Sequence, residues 1–454
     1  MMQRREQAAT VGRFLTMWRR VLSKRLLLGL AGIGAVCVVA LLALAWRPAI
    51  APIDPPAPSS FAPELVAKGE ILASAGDCGT CHTSNPAQPY AGGYAFWTTF
   101  GVVNSTNITP DPETGIGRWS EAAFARAMRE GVARDGSQLF PVFPFDHFTK
   151  LTDSDIKAIY AYLMTVPPVK ATAAAVPNNL PFPLSVRALQ AGWKMLYLDK
   201  GPYRPNPARS TEWNRGAYLA EGLAHCGACH TRRNVFGAEQ VGHPYGGEFL
   251  QGWLAWPLDI SPSPAPWTKD DYFTYLRGGT TIHGRAIGPM ASVIKGLAKL
   301  PDSDIQAIAT YFVEIERPAR PSADAAVAKA LAASTLQSGF ERDRGGRLYI
   351  AACASCHDNG GSTPVATRAE LALSSAVWYD WPYNFMRAVI DGVGTEPGST
   401  GPMMPPFGAV LSDADITAIG NYLRRTRTGQ KDWLESENSA AKVRANPQAV
   451  PWTR

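Results

Sequence analysis

Cys78-Gly79-Thr80-Cys81-His82, Cys226-Gly227-Ala228-Cys229-His230 and Cys353-Ala354-Ser355-Cys356-His357 are three copies of one pattern, and their reading decides the fold. Two thiols three residues apart, followed at once by an imidazole, suit covalent haem attachment: the thiols form thioethers and the histidine takes the iron from one face. Zinc ribbons and thioredoxin-like dithiols also use Cys-x-x-Cys, but neither requires the adjacent histidine. Six of the seven cysteines stand in these motifs, so no further thiols remain to complete four-cysteine zinc sites. The seventh, Cys37, lies in an apolar run and reads as a small hydrophobe. The expected cofactors are three covalently bound haem c groups, on Cys78 and Cys81, on Cys226 and Cys229, and on Cys353 and Cys356. His82, His230 and His357 are then the first axial ligands.

The motifs are spaced 148 and 127 residues apart in a chain of 454, which suits one haem per domain of ordinary size. The net charge of +6 does not mark a nucleic-acid face. Arg4, Arg5, Arg13, Arg19, Arg20, Lys24 and Arg25 against Glu6 account for all of it, and the rest of the chain sums to zero. From Leu26 to Ala45 no charge occurs, and a helix of that length, rising ~1.5 Å per residue, matches a hydrocarbon core of ~30 Å. Basic residues before this run and only Arg47 just after it place the N-terminus in the cytoplasm and the remainder outside, on a single-pass anchor. A cleaved signal peptide ending at Ala43-Leu44-Ala45 is the competing reading, disfavoured because the apolar run exceeds an h-region of ~7 to 15 residues.

After a Pro-rich spacer the chain repeats itself. Each unit opens on a short helical pattern that runs into its haem motif. Each closes on an amphipathic helix: Asp155-Ile156, Ala158-Ile159 and Tyr162-Leu163 recur as Asp304-Ile305, Ala307-Ile308 and Tyr311-Phe312, and as Asp415-Ile416, Ala418-Ile419 and Tyr422-Leu423. Thr152 and Ser412 stand three residues before Asp155 and Asp415 as helix caps, with Pro301 at the corresponding place in the middle copy. Gly69, Gly216 and Gly346 in the opening helices would let each closing helix approach closely. The expected fold is mainly α: three tandem class I cytochrome c-like domains after one N-terminal transmembrane helix. The expected boundaries are stub and anchor 1–50, linker 51–62, first domain 63–168, linker 169–212, second domain 213–318, linker 319–340, third domain 341–428 and tail 429–454.

Each iron's second axial ligand should come from a loop before the closing helix. Met290 stands 60 residues after His230, and Met404, preferred over Met403, stands 47 after His357. Thioether ligation raises the haem potential. In the first unit Phe143 stands where a methionine is expected, and His147 is the only histidine there besides His82, so His82/His147 ligation is expected for the first haem. His225, His243 and His283 read as turn or loop residues, the last two being weaker alternatives to Met290.

With these motifs, the run Ser105-Thr106-Asn107-Ile108-Thr109-Pro110-Asp111 and the run Gly115-Ile116-Gly117-Arg118-Trp119-Ser120, the chain resembles the triheme cytochrome c subunits of bacterial membrane-bound periplasmic dehydrogenases. The resemblance implies an electron-transfer subunit that receives electrons from a catalytic dehydrogenase subunit and passes them to ubiquinone, with no catalytic residues of its own. Alcohol and gluconate branches usually carry Met between the two prolines. Pro141-Val142-Phe143-Pro144-Phe145-Asp146-His147-Phe148 instead resembles the branch accompanying molybdenum hydroxylases, with a molybdenum-containing partner for aldehydes or N-heterocycles and a small iron-sulfur subunit. The alternatives are a cytochrome subunit of a PQQ alcohol or FAD gluconate-type dehydrogenase, a multihaem peroxidase, and a generic carrier to a terminal oxidase.

Overall fold

The computed structural model describes residues 26, 28–34, 36, 39–40, 42–43, 45–171, 177–250, 252–260, 265–315, 323–333, 339–358, 370–394, 403–434 and 436–445. The basic stub, Cys37, Leu44 and the end of the tail lie outside them. The described part of residues 26–45 is helical. Among the described residues no helix is long and apolar enough to cross a membrane, and the anchor expected over 26–45 falls partly outside that set.

The described residues are mainly helical, with three two-stranded hairpins among them. Its organising contact is a crossing of two helices that recurs three times. Opening helices Pro63–Ala75, Thr211–Ala217 and Arg344–Ala352 cross closing helices Asp153–Leu163, Asp302–Ile315 and Asp413–Leu423. At each crossing one glycine meets backbone. A Cβ on Gly69, Gly216 or Gly345 would lie 1.9, 2.0 and 2.0 Å from the carbonyl oxygens of Ala158, Ala307 and Ala418, and under 3 Å from the Cβ of Tyr162, Tyr311 and Tyr422. No residue but glycine allows that approach. The third contact residue is Gly345 and not the expected Gly346, which faces Phe340 instead. Gly-x-x-Leu, seen at Gly69 and Gly216, continues as Gly345-x-x-Leu348, which puts the repeat one residue before Gly346.

Immediately before each contact glycine a basic residue reaches the aspartate in the first turn of the closing helix. Lys68 meets Asp155 at 2.6 Å, Arg215 meets Asp304 through two bonds of 2.8 and 2.7 Å, and Arg344 meets Asp415 at 2.7 Å. These aspartates also complement the positive end of their helices. Ser412 and Asp415 form both halves of a capping box. Thr152 accepts from the Asp155 amide, while its own amide donates to the Tyr218 hydroxyl of the second unit at 3.2 Å.

The first and second units share one hydrophobic core, in which Leu72, Ile156, Ile159 and Leu163 are continuous with Leu219, Leu223, Ile305 and Ile308. The third has its own, around Tyr349, Met386, Ile416, Ile419 and Tyr422. The polar tail after Arg427, uninformative in sequence, forms a helix, Ser436–Ala445, that buries Ala440 and Val443 in this third core. Within the linker expected over 319–340, helix Ala323–Ala333 packs Ala326 and Ala330 on Ala372 and Leu373.

Candidate haem sites and their junction

Each Cys-x-x-Cys-His run closes one helical turn. The amides of His82, His230 and His357 donate to the carbonyls of Cys78, Cys226 and Cys353 at 3.0, 3.0 and 2.9 Å. Residues i, i+3 and i+4 of a turn share a face, so both thiols and the imidazole point to the same side. All six cysteines are free. Burial pushes the Cys78 and Cys226 thiols up to about 12, and Cys229 and Cys353 to about 11, so they are protonated at neutral pH. A dithiol poised for redox exchange would be held low instead.

Backbone carbonyls orient the imidazoles of the first two motifs. His82 Nδ1–H donates to the Thr106 carbonyl at 2.6 Å, and His230 Nδ1–H to the Trp256 carbonyl at 2.6 Å. A carbonyl can only accept, so Nδ1 carries the proton and the Nε2 lone pair is left for a metal. Burial lowers both histidines, which favours the neutral ring. The loop that presents these carbonyls is built the same way twice. Thr83 and Thr231 hydroxyls accept from the amides of Tyr90 and Tyr245 at 3.0 and 3.1 Å, and Gly92 and Gly247 amides donate to the carbonyls of His82 and His230 at 2.7 Å each. Tyr90 and Tyr245 take positive φ, 62° and 60°. These positioning residues escaped sequence reasoning, although a signal existed: His-Thr followed by Pro-Tyr-x-Gly occurs after both motifs. The free thiols, half-buried in the first two motifs, and the oriented imidazoles fit covalent haem.

Met290 lies in the first turn of helix Pro289–Leu297, half-buried against the shared core. Met404 is half-buried against the third core and pairs with Val393 through two 3.0 Å backbone bonds, while Met403 is 60% exposed. The first unit's distal loop has the same base as the second's. Helices Glu121–Glu130 and Lys269–Gly278 both end on a left-handed glycine, Gly131 and Gly279, whose carbonyl accepts from Leu139 and Ala286 at 2.7 Å each. Four residues on from these amides stand Phe143 and Met290.

The structure places His147, expected as a sixth ligand, at the junction with the second unit. It is 7% exposed and points into the second unit: Nδ1 bonds the Glu221 carbonyl at 2.7 Å and Nε2 bonds the Glu239 carboxylate at 2.7 Å. Burial alone would lower this histidine, but the hydrogen bond and charge of Glu239 outweigh it and raise it to about 9. His283 is buried, stacked on Trp267 at 4.9 Å.

The attachment turns of the first two units abut. His225 Nε2 lies 3.2 Å from the Gly76 carbonyl, a Cβ on Gly76 would touch Leu223 at 3.5 Å, and one on Gly296 would lie 2.4 Å from the Ser74 carbonyl. The hydroxyl of Tyr218 donates to Asp155 at 2.5 Å across the same junction. The second unit also meets the third. The Asn384 side chain bonds both the amide and the carbonyl of Leu254, at 2.9 and 2.8 Å, and Trp256, whose carbonyl orients His230, packs edge-on against Tyr379 at 5.1 Å.

A family model for cytochrome c matches residues 66–167, and one for cytochrome c oxidase, cbb3-type, subunit III matches residues 341–423. A nicotinate dehydrogenase subunit of Pseudomonas putida is 44% identical over 424 residues, covering 92% of this chain but only 35% of its own length, so the chain spans about a third of that relative. The fructose dehydrogenase cytochrome subunit of Gluconobacter japonicus is 34% identical over 444 residues, 92% of this chain and 90% of that one. The gluconate 2-dehydrogenase cytochrome c subunit of Pantoea cypripedii is 36% identical over 387 residues, 79% and 85% respectively.

Proposed function

The chain belongs to the cytochrome c subunits of dehydrogenase complexes, which are electron-transfer and not catalytic subunits, and from this premise we propose that it is a triheme relay between a molybdenum-hydroxylase-type catalytic subunit and ubiquinone. The choice of partner rests on the 44% identity with the nicotinate dehydrogenase relative over 92% of the chain, against 34% and 36% for the fructose and gluconate relatives. Nicotinate contains a pyridine ring, so the substrate class proposed for the partner is an N-heterocycle or an aldehyde. A small iron-sulfur subunit completes the complex.

Segments 63–168, 213–318 and 341–428 each hold one haem c, bound through Cys78 and Cys81, Cys226 and Cys229, and Cys353 and Cys356. Haem c supplies a one-electron iron couple at each site; this chain's residues set axial ligation, burial and spacing. His82, His230 and His357 hold the proximal faces, and Met290 and Met404 the distal faces of the second and third. The second unit touches both others, which supports a relay that runs through it. A dehydrogenase releases electrons in pairs and a quinone accepts them in pairs, so three one-electron sites bridge the two. Residues 26–45 anchor the relay in the inner membrane with the haem units in the periplasm; the exposed apolar side chains of Leu28, Ile33, Val36 and Val39 support that reading.

The test is metal and cofactor analysis, normalised to haem, of the complex that co-purifies with this chain in mild detergent. Molybdenum with iron well above three per chain is expected. PQQ or flavin without molybdenum would move the chain to the alcohol or gluconate type. The cytochrome subunits of fructose and gluconate dehydrogenases, 34% and 36% identical to this chain, favour that second reading.

A further inference from the structure

We propose that the first haem has an open distal face, walled by Phe143, where the iron held by His82 takes a small neutral diatomic ligand of the carbon monoxide class. This inference rests on haem attachment at Cys78 and Cys81.

The register of the distal loops carries it. Gly131 and Gly279 cap equivalent helices in the left-handed conformation, and each accepts the amide that begins its loop, from Leu139 and from Ala286, at 2.7 Å. An antiparallel pairing closes each loop base, Val132 with Gln138 and Thr280 with Arg285. Counting from that common base, the position that presents a thioether in the second unit presents a phenyl ring in the first. Phe143 has no lone pair to offer a metal. It is half-buried and held in an aromatic wall, 6.4 Å from Phe145 and 5.5 Å from Phe148 between ring centres.

The remaining donors of the first unit are engaged elsewhere. Both nitrogens of His147 bond second-unit oxygens at 2.7 Å, and its Cε1 packs against the second attachment turn, where a Cβ on Gly227 would lie 3.0 Å away. His147 is a positioning residue of the junction. Met128 and Met164 are buried at 4% and 1% in the shared core, and Tyr90 is hydrogen-bonded to Tyr162 at 3.2 Å. An apolar wall favours an uncharged ligand over an anion, because a charge there would lose hydration without a partner.

The experiment uses the full-length holoprotein in detergent, with haem counted by pyridine haemochrome and located by mass spectrometry of the attachment peptides. Carbon monoxide is titrated into the reduced protein, and the oxidised protein is examined by electron paramagnetic resonance. One carbon monoxide per three haems is expected, with one high-spin ferric centre. Phe143→Met should reduce carbon monoxide binding at least tenfold and convert that centre to low spin, whereas His147→Ala should leave the stoichiometry at one. Three haems that are all low-spin and do not bind carbon monoxide would overturn the open face while leaving attachment intact. His147→Ala creating a binding site that the unaltered protein lacks would make His147 the ligand. A chain without haem on the Cys78–Cys81 peptide would overturn the attachment itself.

Discussion

Gly216→Ala puts the repeated helix crossing to a quantitative test. The added methyl would sit 2.0 Å from the Ala307 carbonyl oxygen and 2.9 Å from the Tyr311 Cβ. Ordinary contact begins near 3.4 Å, so the closing helix would have to retreat by about 1.4 Å in an interior packed as densely as a crystal. Replacing glycine by alanine within a helix gains about 1 kcal/mol in propensity. Overpacking costs about 1–3 kcal/mol even where side chains can move. Here the obstacle is a carbonyl in a buried helix, and the retreat also strains the two Arg215–Asp304 bonds, so a net loss of about 2 kcal/mol or more is expected. The first two units share a core, so the loss should lower the thermal transition of both together. Gly345→Ala, at the third crossing, should affect the third unit alone. Calorimetry with limited proteolysis and haem-stained fragments reads both effects. Gly278→Ala, where a Cβ would meet nothing within 4 Å, is the control and should be neutral or slightly stabilising. If Gly216→Ala behaves like this control, the close crossing is not what holds the fold together.

The His147–Glu239 pair makes the junction of the first two units pH-dependent. His147 is raised from 6.5 to about 9, so its contribution, up to roughly 3 kcal/mol, is fully present below pH 6.5 and lost as pH rises through about 9. Glu239→Gln should flatten that slope in denaturant titrations, and an unchanged slope would refute it. Arg424 is buried and donates to the carbonyls of Val377, Tyr379 and Lys431 at 2.9, 2.7 and 2.6 Å; Tyr379 keeps a bond from Trp433, so Arg424→Met should cost about 2–4 kcal/mol mainly by removing the donor to Val377 and Lys431, seen as early melting of the third unit. Met290→His should lower the potential of one haem of three in a spectroelectrochemical titration and leave the others in place; three unmoved potentials would exclude Met290 as a ligand.

The attachment chemistry, the closing helices and their caps are legible in the sequence alone. Each is written within one or two turns, where spacing brings the groups together: Cys78, Cys81 and His82 need only a single helical turn, and Ser412 needs only Asp415 three residues on. The glycine at the third crossing was legible in kind but not in register, because Gly345 and Gly346 are adjacent and only the partner helix distinguishes them. The rest is tertiary. The shared core of the first two units joins residues from Leu72 to Ile308, and the turn of His147 to Glu239 and the setting of the histidine tautomers by the carbonyls of Thr106 and Trp256 depend on groups 24 to 92 residues apart. Local periodicity says which face of a helix is apolar, but three similar apolar faces can cover one another in several ways. The choice among them is made by shape and by the few buried polar groups that must find partners, and neither is encoded in any short stretch of the chain.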